Sequence, residues 1–551
     1  MRGTLGVLAL LALGCGGSAP APVAEPIVAA PAPAEPAAPD EASLRRAMLD
    51  RLLADIRRYH VFSEHWPRET WESDDVPRLT REVLDAPDSE ALSRALLHVA
   101  HSLRDGHLTF LPAHPASRGI ITLPLGFVAV GGGSTPRFVV DRADPSTGLA
   151  AGDELVTYDG RSASELSERF RYDLRAGPES VRAAQLANVL QWRQREHWAS
   201  LDGAAVPLVA RRADGTTVET TVRFAPYAGE AGATDLDTFR VADEPVCDET
   251  RARDYGPYRL VAVGARVCLY RASEGAFARF PLVRHHSFAY SARSGADRED
   301  QYRLLQVDHD LVRDFLARTP RLAGVILDLR DNAGGNNAAI FLDWYGREPY
   351  VGGTTEIRLH PELRDRGRLE VALYRGSAVD EYLRRAAAGE RWWVRADRCN
   401  TADCPEEIRH SPAHRVTRAP IAALVGPGCV SACDDFARLF AASGAGPVIG
   451  TTPASALTAH RYPLEVVLGE EVLGHLLVAI SRHRFGREGP WLEGRPHDVD
   501  RVIEPSWPLA DYERAVREAA LDALSTRPRR AGDATPRRPR EARTRFVAPA
   551  M

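Results

Sequence analysis

The spacing of apolar positions changes twice along the chain, and each change marks a unit. From Asp40, Leu44, Met48, Leu52 and Ile56 recur every four residues, and Leu92, Leu96, Ala100 and Leu103 repeat the pattern. Residues 41–116 therefore read as a small helical domain. Its last helix is expected to stop at Gly106, a common terminator, and to deliver His107 into the extended segment HLTFLP. Residues 117–226 are β-rich, with strands expected at RFVVDRA, DELVTYDG and VPLVARRADGTTVETTVRF, and with a helical insertion around Ser180 to Glu196. From about Tyr258 strand and helix signals alternate through VCLYRA, DHDLVRDFLART, AGVILDL, APIAALVG and SACDDFARLFAAS. That alternation predicts an α/β core with a largely buried sheet over residues 255–349 and 413–512. Residues 350–412 are arginine-rich and irregular around Trp392 and Trp393, and read as an insertion or lid. The fold class expected is α/β and multidomain.

Composition adds three constraints. At 551 residues the chain exceeds one compact domain, and a net charge of −5 argues against a nucleic-acid partner. All 70 basic residues are arginine, so any mechanism that needs a deprotonated lysine is excluded. The N-terminus carries Arg2, an apolar run from Leu5 to Leu13, Gly14 and Cys15, which reads as an export signal too short to span a bilayer. A cysteine directly after such a run resembles a bacterial lipoprotein signal, although Leu13 departs from the usual small residue. It implies cleavage before Cys15, lipidation of that residue and anchoring to a cell-envelope membrane. Gly16 favours the outer membrane, with the chain facing the periplasm or the surface. The alternative is an ordinary secretory signal over residues 1–15 with an incidental cysteine. Residues 16–40 are an Ala- and Pro-rich tether, and 527–551 form a basic tail expected to be disordered.

Six cysteines follow Cys15. Short spacings in an exported chain suggest disulfides between Cys399 and Cys404 and between Cys247 and Cys268, though spacing alone does not fix connectivity. A zinc site is the alternative for the 399/404 pair, disfavoured because no second cysteine pair with metal spacing lies nearby. Cys429 and Cys433 are open to two readings, a bond to each other or two small buried apolar side chains. No metal or cofactor is implied.

STGLAAGDELVTYDGRSASEL, residues 146–166, resembles the second half of a PDZ domain. LPLGF then stands where such domains hold a peptide carboxylate on backbone amides, which makes Leu125, Gly126 and Phe127 candidate peptide-binding residues. An extended peptide would add to the adjacent sheet edge. The alternative is a β-domain that serves only as a spacer.

Four segments carry candidate chemistry: RDGHLTF (104–110), ILDLRDNAGGN (326–336), GPGCVSACDDFA (426–437) and WLEGRPHDVD (491–500). In this order they resemble the tail-specific, or C-terminal processing, serine protease family, whose relatives include the tricorn protease core and interphotoreceptor retinoid-binding protein. LDLRDNAGG matches that family's Asp-x-Arg-x-Asn-x-Gly-Gly run at every fixed position. The resemblance implies a ClpP/crotonase-like α/β core and Ser431 as nucleophile. It also implies an oxyanion held by the amides of Ala432 and of Gly334 or Gly335. Asp328, Arg330 and Asn332 would brace the glycine turn. On position alone Ser431 has a second reading, as a helix N-cap whose hydroxyl accepts a backbone N–H.

A serine hydroxyl needs a base. Where bacterial processing proteases carry a lysine, this chain has Ala456. Tricorn and related members use an upstream histidine and a downstream carboxylate, which His107 and Glu493 match. An imidazole with its ordinary pKa near ~6.5 accepts and returns protons at neutrality. His460 is the other candidate base, and Asp498 and Asp500 compete with Glu493 to orient the imidazole. The function expected is an exported serine endopeptidase acting on polypeptides. Its rivals are a non-catalytic peptide- or lipophile-binding lipoprotein on the same fold and a serine esterase or amidase. An α/β-hydrolase is disfavoured, because no Gly-x-Ser-x-Gly surrounds Ser431.

Overall fold

The computed structural model describes residues 40–526, apart from 116–118, 132–135, 176, 228–246, 248–254, 291–297, 336–337, 374–375, 397–398, 400–402, 458–459 and 486–488. The expected signal with Cys15, nearly all of the tether and the basic tail lie outside the described residues. Among the described residues no helix is long and apolar enough to cross a membrane.

Asp40 caps α1 (Glu41–Tyr59) by accepting from the Ser43 N–H at 2.7 Å, and the helix buries Met48, Leu49, Leu52, Leu53, Ile56 and Tyr59. α2 (Val76–Leu84) and α3 (Ser89–Ser102) pack with it. α3 does not end on a glycine as expected. Arg104 takes the left-handed conformation (φ 53°) that closes the helix, with its guanidinium over the Trp66 ring. A side chain usually disfavoured there is held by that stacking and by the nearby Asp75 carboxylate.

The β-rich unit is a five-stranded antiparallel sheet ordered β1 (Leu125–Val130), β2 (Arg137–Ala143), β3 (Glu154–Tyr158), β4 (Ala205–Arg211) and β5 (Thr217–Arg223). β1 is an edge strand; it pairs with β2 and packs against α4 (Glu179–Gln191). Leu125 and Phe127 bury their side chains, and a Cβ on Gly126 would meet Asp141 Oδ1 at 2.3 Å.

The core sheet has seven strands in spatial order β6 (Tyr258–Val263), β7 (Val267–Ala272), β8 (Leu282–His285), β9 (Val325–Asp328), β10 (Ile421–Val425), β11 (Val448–Gly450) and β12 (Arg501–Val502). The first two pairings are antiparallel and the remaining four parallel. β9 and β10 are buried along their length, as continuous apolar runs require of a sheet covered on both faces. One face is covered by α5 (Arg298–Ala317), α6 (Ala338–Tyr345) and α7 (Ala432–Ala442), the other by α8 (Leu509–Thr526).

Residues 350–412, read as irregular, contain strands Gly353–Arg358 and Trp392–Ala396 and helices Arg366–Leu373 and Gly376–Ala387. The two strands join Ser481–Phe485 in one antiparallel sheet. The many arginines masked a helical spacing: Ala378, Val379, Tyr382 and Ala386 are buried in the same apolar cluster as the N-terminal helices. All three cysteine pairs are bonded, Cys247–Cys268, Cys399–Cys404 and Cys429–Cys433.

His98 on α3 ties the helical and β-rich units, lying between Glu82 on α2 and Asp173. Burial opposes its protonation, but the charges and hydrogen bonds of Asp173 and Glu82 outweigh it and raise the pKa to about 9. A pKa raised on folding stabilises fully below the free value near ~6.5 and is lost as pH rises through about 9. Urea titrations from pH 6 to 10 are expected to show a stability loss of roughly 1–3 kcal/mol across that window, absent in His98→Gln.

Candidate active site

β10 runs through the Gly426–Val430 loop into α7, and Ser431 sits at the junction. Its backbone has φ 57° and ψ −120°, a region that L side chains rarely adopt, and its hydroxyl makes no capping hydrogen bond. The N-cap reading of this serine is therefore not the one the backbone takes, because an N-cap is extended and its oxygen accepts from the first turn. Ala432 is the first residue of α7, so its N–H points out of the helix N-terminus without an intrahelical acceptor.

The glycine pair lies against this turn. A Cβ on Gly334 (φ 86°) would meet the Val430 carbonyl at 2.5 Å, Ser431 Cβ at 2.9 Å and the Ala432 nitrogen at 3.0 Å. One on Gly335 (φ 131°) would meet the Ala289 nitrogen at 2.2 Å. Only glycine allows two loops to approach this closely. Asn332, fully buried, links them: its Oδ1 accepts from the Gly334 N–H at 2.9 Å, its Nδ2 donates to the His285 carbonyl, and its own carbonyl accepts from the Val430 N–H. The Gly334 amide is thus already engaged, in contrast to that of Ala432. Arg330 braces the turn from below through two hydrogen bonds to Asp328 and one to Glu513 on α8.

His107 and Glu493 arrive from opposite ends of the chain. The Glu493 carboxylate is buried and accepts from the Gly106 N–H at 2.9 Å and the Leu457 N–H at 2.6 Å. Asp105, His107 and Glu493 each place a side-chain N or O within 4.8 Å of the others. Asp105 Oδ1 accepts from the His107 N–H, and Arg175 and Arg461 donate to the carbonyls of Gly106 and His107. Burial and the neighbouring Arg461 lower the Arg175 pKa to about 10, with Asp105 opposing them.

Residues 454–457 connect these loops to the serine. The Ala454 N–H donates to the Cys429 carbonyl, Val430 packs on Val181, Ala454 and Ala456, and the Leu457 N–H holds Glu493. Gly106 abuts Ala456 so closely that a Cβ on it would lie 2.3 Å from Ala456 Cβ. The expected helix terminator is glycine for this reason. The place of the missing lysine is filled by the loop bearing His107.

Of the other candidates, His460 and Asp500 have hydrogen-bond partners of their own. His460 is buried between the Arg395 guanidinium at 2.7 Å and the Ser481 hydroxyl at 3.0 Å. Asp498 and Asp500 are exposed, and Asp500 accepts from the Val448 N–H. Sequence reasoning missed the clamps Arg175 and Arg461, which carry no local motif. It missed Gly106 as a packing residue because the contact spans about 350 positions of chain.

Residues 303–465 match the model of Peptidase family S41. No curated protein matches the sequence. Among solved structures the chain resembles mature CPAF, with 15% identity over 87% of this chain and 96% of that one and a TM-score of 0.61. The structure of mature CPAF complexed with lactacystin gives 14% identity, 87% and 97% coverage, and the same TM-score. At that identity the likeness is one of fold. The photosystem II D1 C-terminal processing protease matches over 88% of this chain and 99% of that one at 14% identity, with a TM-score of 0.37.

The Gly106–Ala456 contact gives a steric prediction. Gly106→Ala is expected to push the His107 loop away from Ser431 and lower kcat on a peptide substrate by roughly 100-fold, as misplacement near 1 Å does. Ala456→Lys is expected to abolish activity rather than install a lysine base; retained activity in either variant contradicts the packing argument.

Proposed function

We propose that this chain, a serine-type peptidase with an S41 domain over residues 303–465, cleaves polypeptides through an acyl-enzyme on Ser431, with His107 as general base. The observation that carries the reading is the Ser431 backbone. A left-handed serine at a helix start, its hydroxyl not spent on capping, presents Oγ beside amides that face developing negative charge.

His107 takes the hydroxyl proton as Oγ attacks the scissile carbonyl carbon, and the C=O electrons move to oxygen. The Ala432 N–H holds that oxyanion. Gly335 supplies the second donor, since the Gly334 N–H already serves Asn332. His107 then returns the proton to the leaving amine, and water repeats the sequence on the acyl group. Glu493, held by the backbone amides of Gly106 and Leu457, orients His107 and stabilises the imidazolium.

Substrates enter as extended strands. β1, the edge strand carrying Leu125, Gly126 and Phe127, is the surface through which the β-rich domain selects C-termini. Export, with lipidation of Cys15 and anchoring to an envelope membrane, is supported by the N-terminal apolar run and by three disulfides, which persist in oxidising compartments.

Casein-type proteolysis and parallel peptide and ester assays test this reading. Ser431→Ala and His107→Ala are expected to lose at least about 10⁴-fold in kcat, Glu493→Gln about 10²- to 10⁴-fold, and His460→Ala essentially nothing. Ester turnover without peptide turnover would favour the esterase reading. A wild type inert on both would return the chain to the binding-protein reading.

A further inference from the structure

The Cys429–Cys433 disulfide brackets Ser431 with one residue to spare on each side. Both cysteines are fully buried, so the bond lies beneath the nucleophile and not on the surface. Cys433 belongs to the first turn of α7 and its N–H donates to the Val430 carbonyl; Cys429 belongs to the preceding loop, held by Gly426 and Ala454. The bond therefore ties the loop before Ser431 covalently to the first turn of the helix after it.

A serine at this position has two conformations open to it. In the relaxed one its backbone is extended and its hydroxyl accepts an N–H from the helix's first turn, which spends the lone pairs and turns Oγ inward. In the observed one φ is positive and the hydroxyl is not used in capping. Such a backbone persists only where its surroundings over-determine it. The five-residue ring closed by the disulfide is the covalent part of those surroundings.

We propose that the Cys429–Cys433 bridge is a positioning device for the nucleophile: it holds Ser431 in its left-handed, uncapped conformation, so the oxidised bridge is a requirement for turnover. This rests on Ser431 being the nucleophile. The two cysteines do not touch substrate. As thiols or alanines they remain small apolar groups in a core that accepts them, so their loss is expected to fall on kcat rather than on folding. The other two bridges serve as controls. Cys399–Cys404 follows the strand Trp392–Ala396, and Cys247–Cys268 sits at β7, on the far side of the sheet order from β10.

The test compares the wild-type chain, Cys429→Ala/Cys433→Ala and Cys399→Ala/Cys404→Ala by kcat, KM and the rate of labelling with a fluorophosphonate. The first double variant is expected to lose on the order of 10- to 100-fold in both kcat and labelling rate, the range of such backbone strain, with KM within about threefold of wild type. The second is expected to match wild type. Wild-type kcat in the first variant overturns the proposal. If that variant shows no cooperative thermal transition, folded wild type is treated with dithiothreitol until mass spectrometry counts both thiols. The bridge then accepts two electrons and two protons from the dithiol, which becomes a cyclic disulfide. Loss of labelling with an intact circular dichroism spectrum, restored on reoxidation, supports the proposal; undiminished labelling with both thiols free overturns it. A wild type that neither turns over nor labels before any change removes Ser431 as nucleophile, an outcome separate from failure of the bridge.

Discussion

The site depends on backbones approaching one another where no side chain intervenes. Gly334 lies against the Ser431 turn, Gly335 against Ala289, and Gly106 against Ala456. Each contact is close enough that a methyl group would collide with backbone or with a rigid Cβ. Everything polar in the site follows from that proximity. Asn332 can reach from the glycine loop to the serine loop only because they touch, and Glu493 can collect the amides of Gly106 and Leu457 only because those segments meet. The parallel strands β9 and β10 set the spacing, since the glycine and serine loops leave their ends side by side.

The absence of lysine at position 456 and the close approach of the His107 loop are two aspects of one arrangement. A lysine at position 456 would need the volume that Gly106 and the His107 loop occupy. With alanine there, the loop between the last helix of the helical domain and the strand Phe110–Pro112 packs against residue 456 of the α/β core. His107 then comes from a unit about 300 residues upstream of Ser431. Its position depends on clamps that cross the domain boundary, Arg461 on the His107 carbonyl and Arg175 on that of Gly106. Mutations far from Ser431 that loosen the helical domain are thereby placed to alter catalysis.

Much of this fold was legible because its signals are local. The period-four helices, the β-hairpin 205–223 and the apolar strands β9 and β10 each declare themselves within a few residues. The LDLRDNAGG run announced a sharp glycine turn for the same reason. What stayed hidden was set by tertiary contact. Arg104 rather than Gly106 closes α3 because Trp66 and Asp75 hold its side chain, which no propensity encodes. The 350–412 segment hid two helices because arginines dominate its surface while its apolar residues join the cluster that also holds α1 and the strand Arg461–Leu468. The engagement of the Gly334 N–H turned on a single hydrogen bond that it donates to the Asn332 side chain.

The central claim, that Ser431 carries the acyl group, is tested most directly by trapping it. Wild-type protein mixed with a slowly hydrolysed peptide ester, quenched in acid within one turnover and digested, should yield one acylated peptide. The account predicts the added mass on the segment containing Ser431, and its disappearance in His107→Ala. Acylation of another residue, or turnover with no acylated peptide under any quench time, would contradict it.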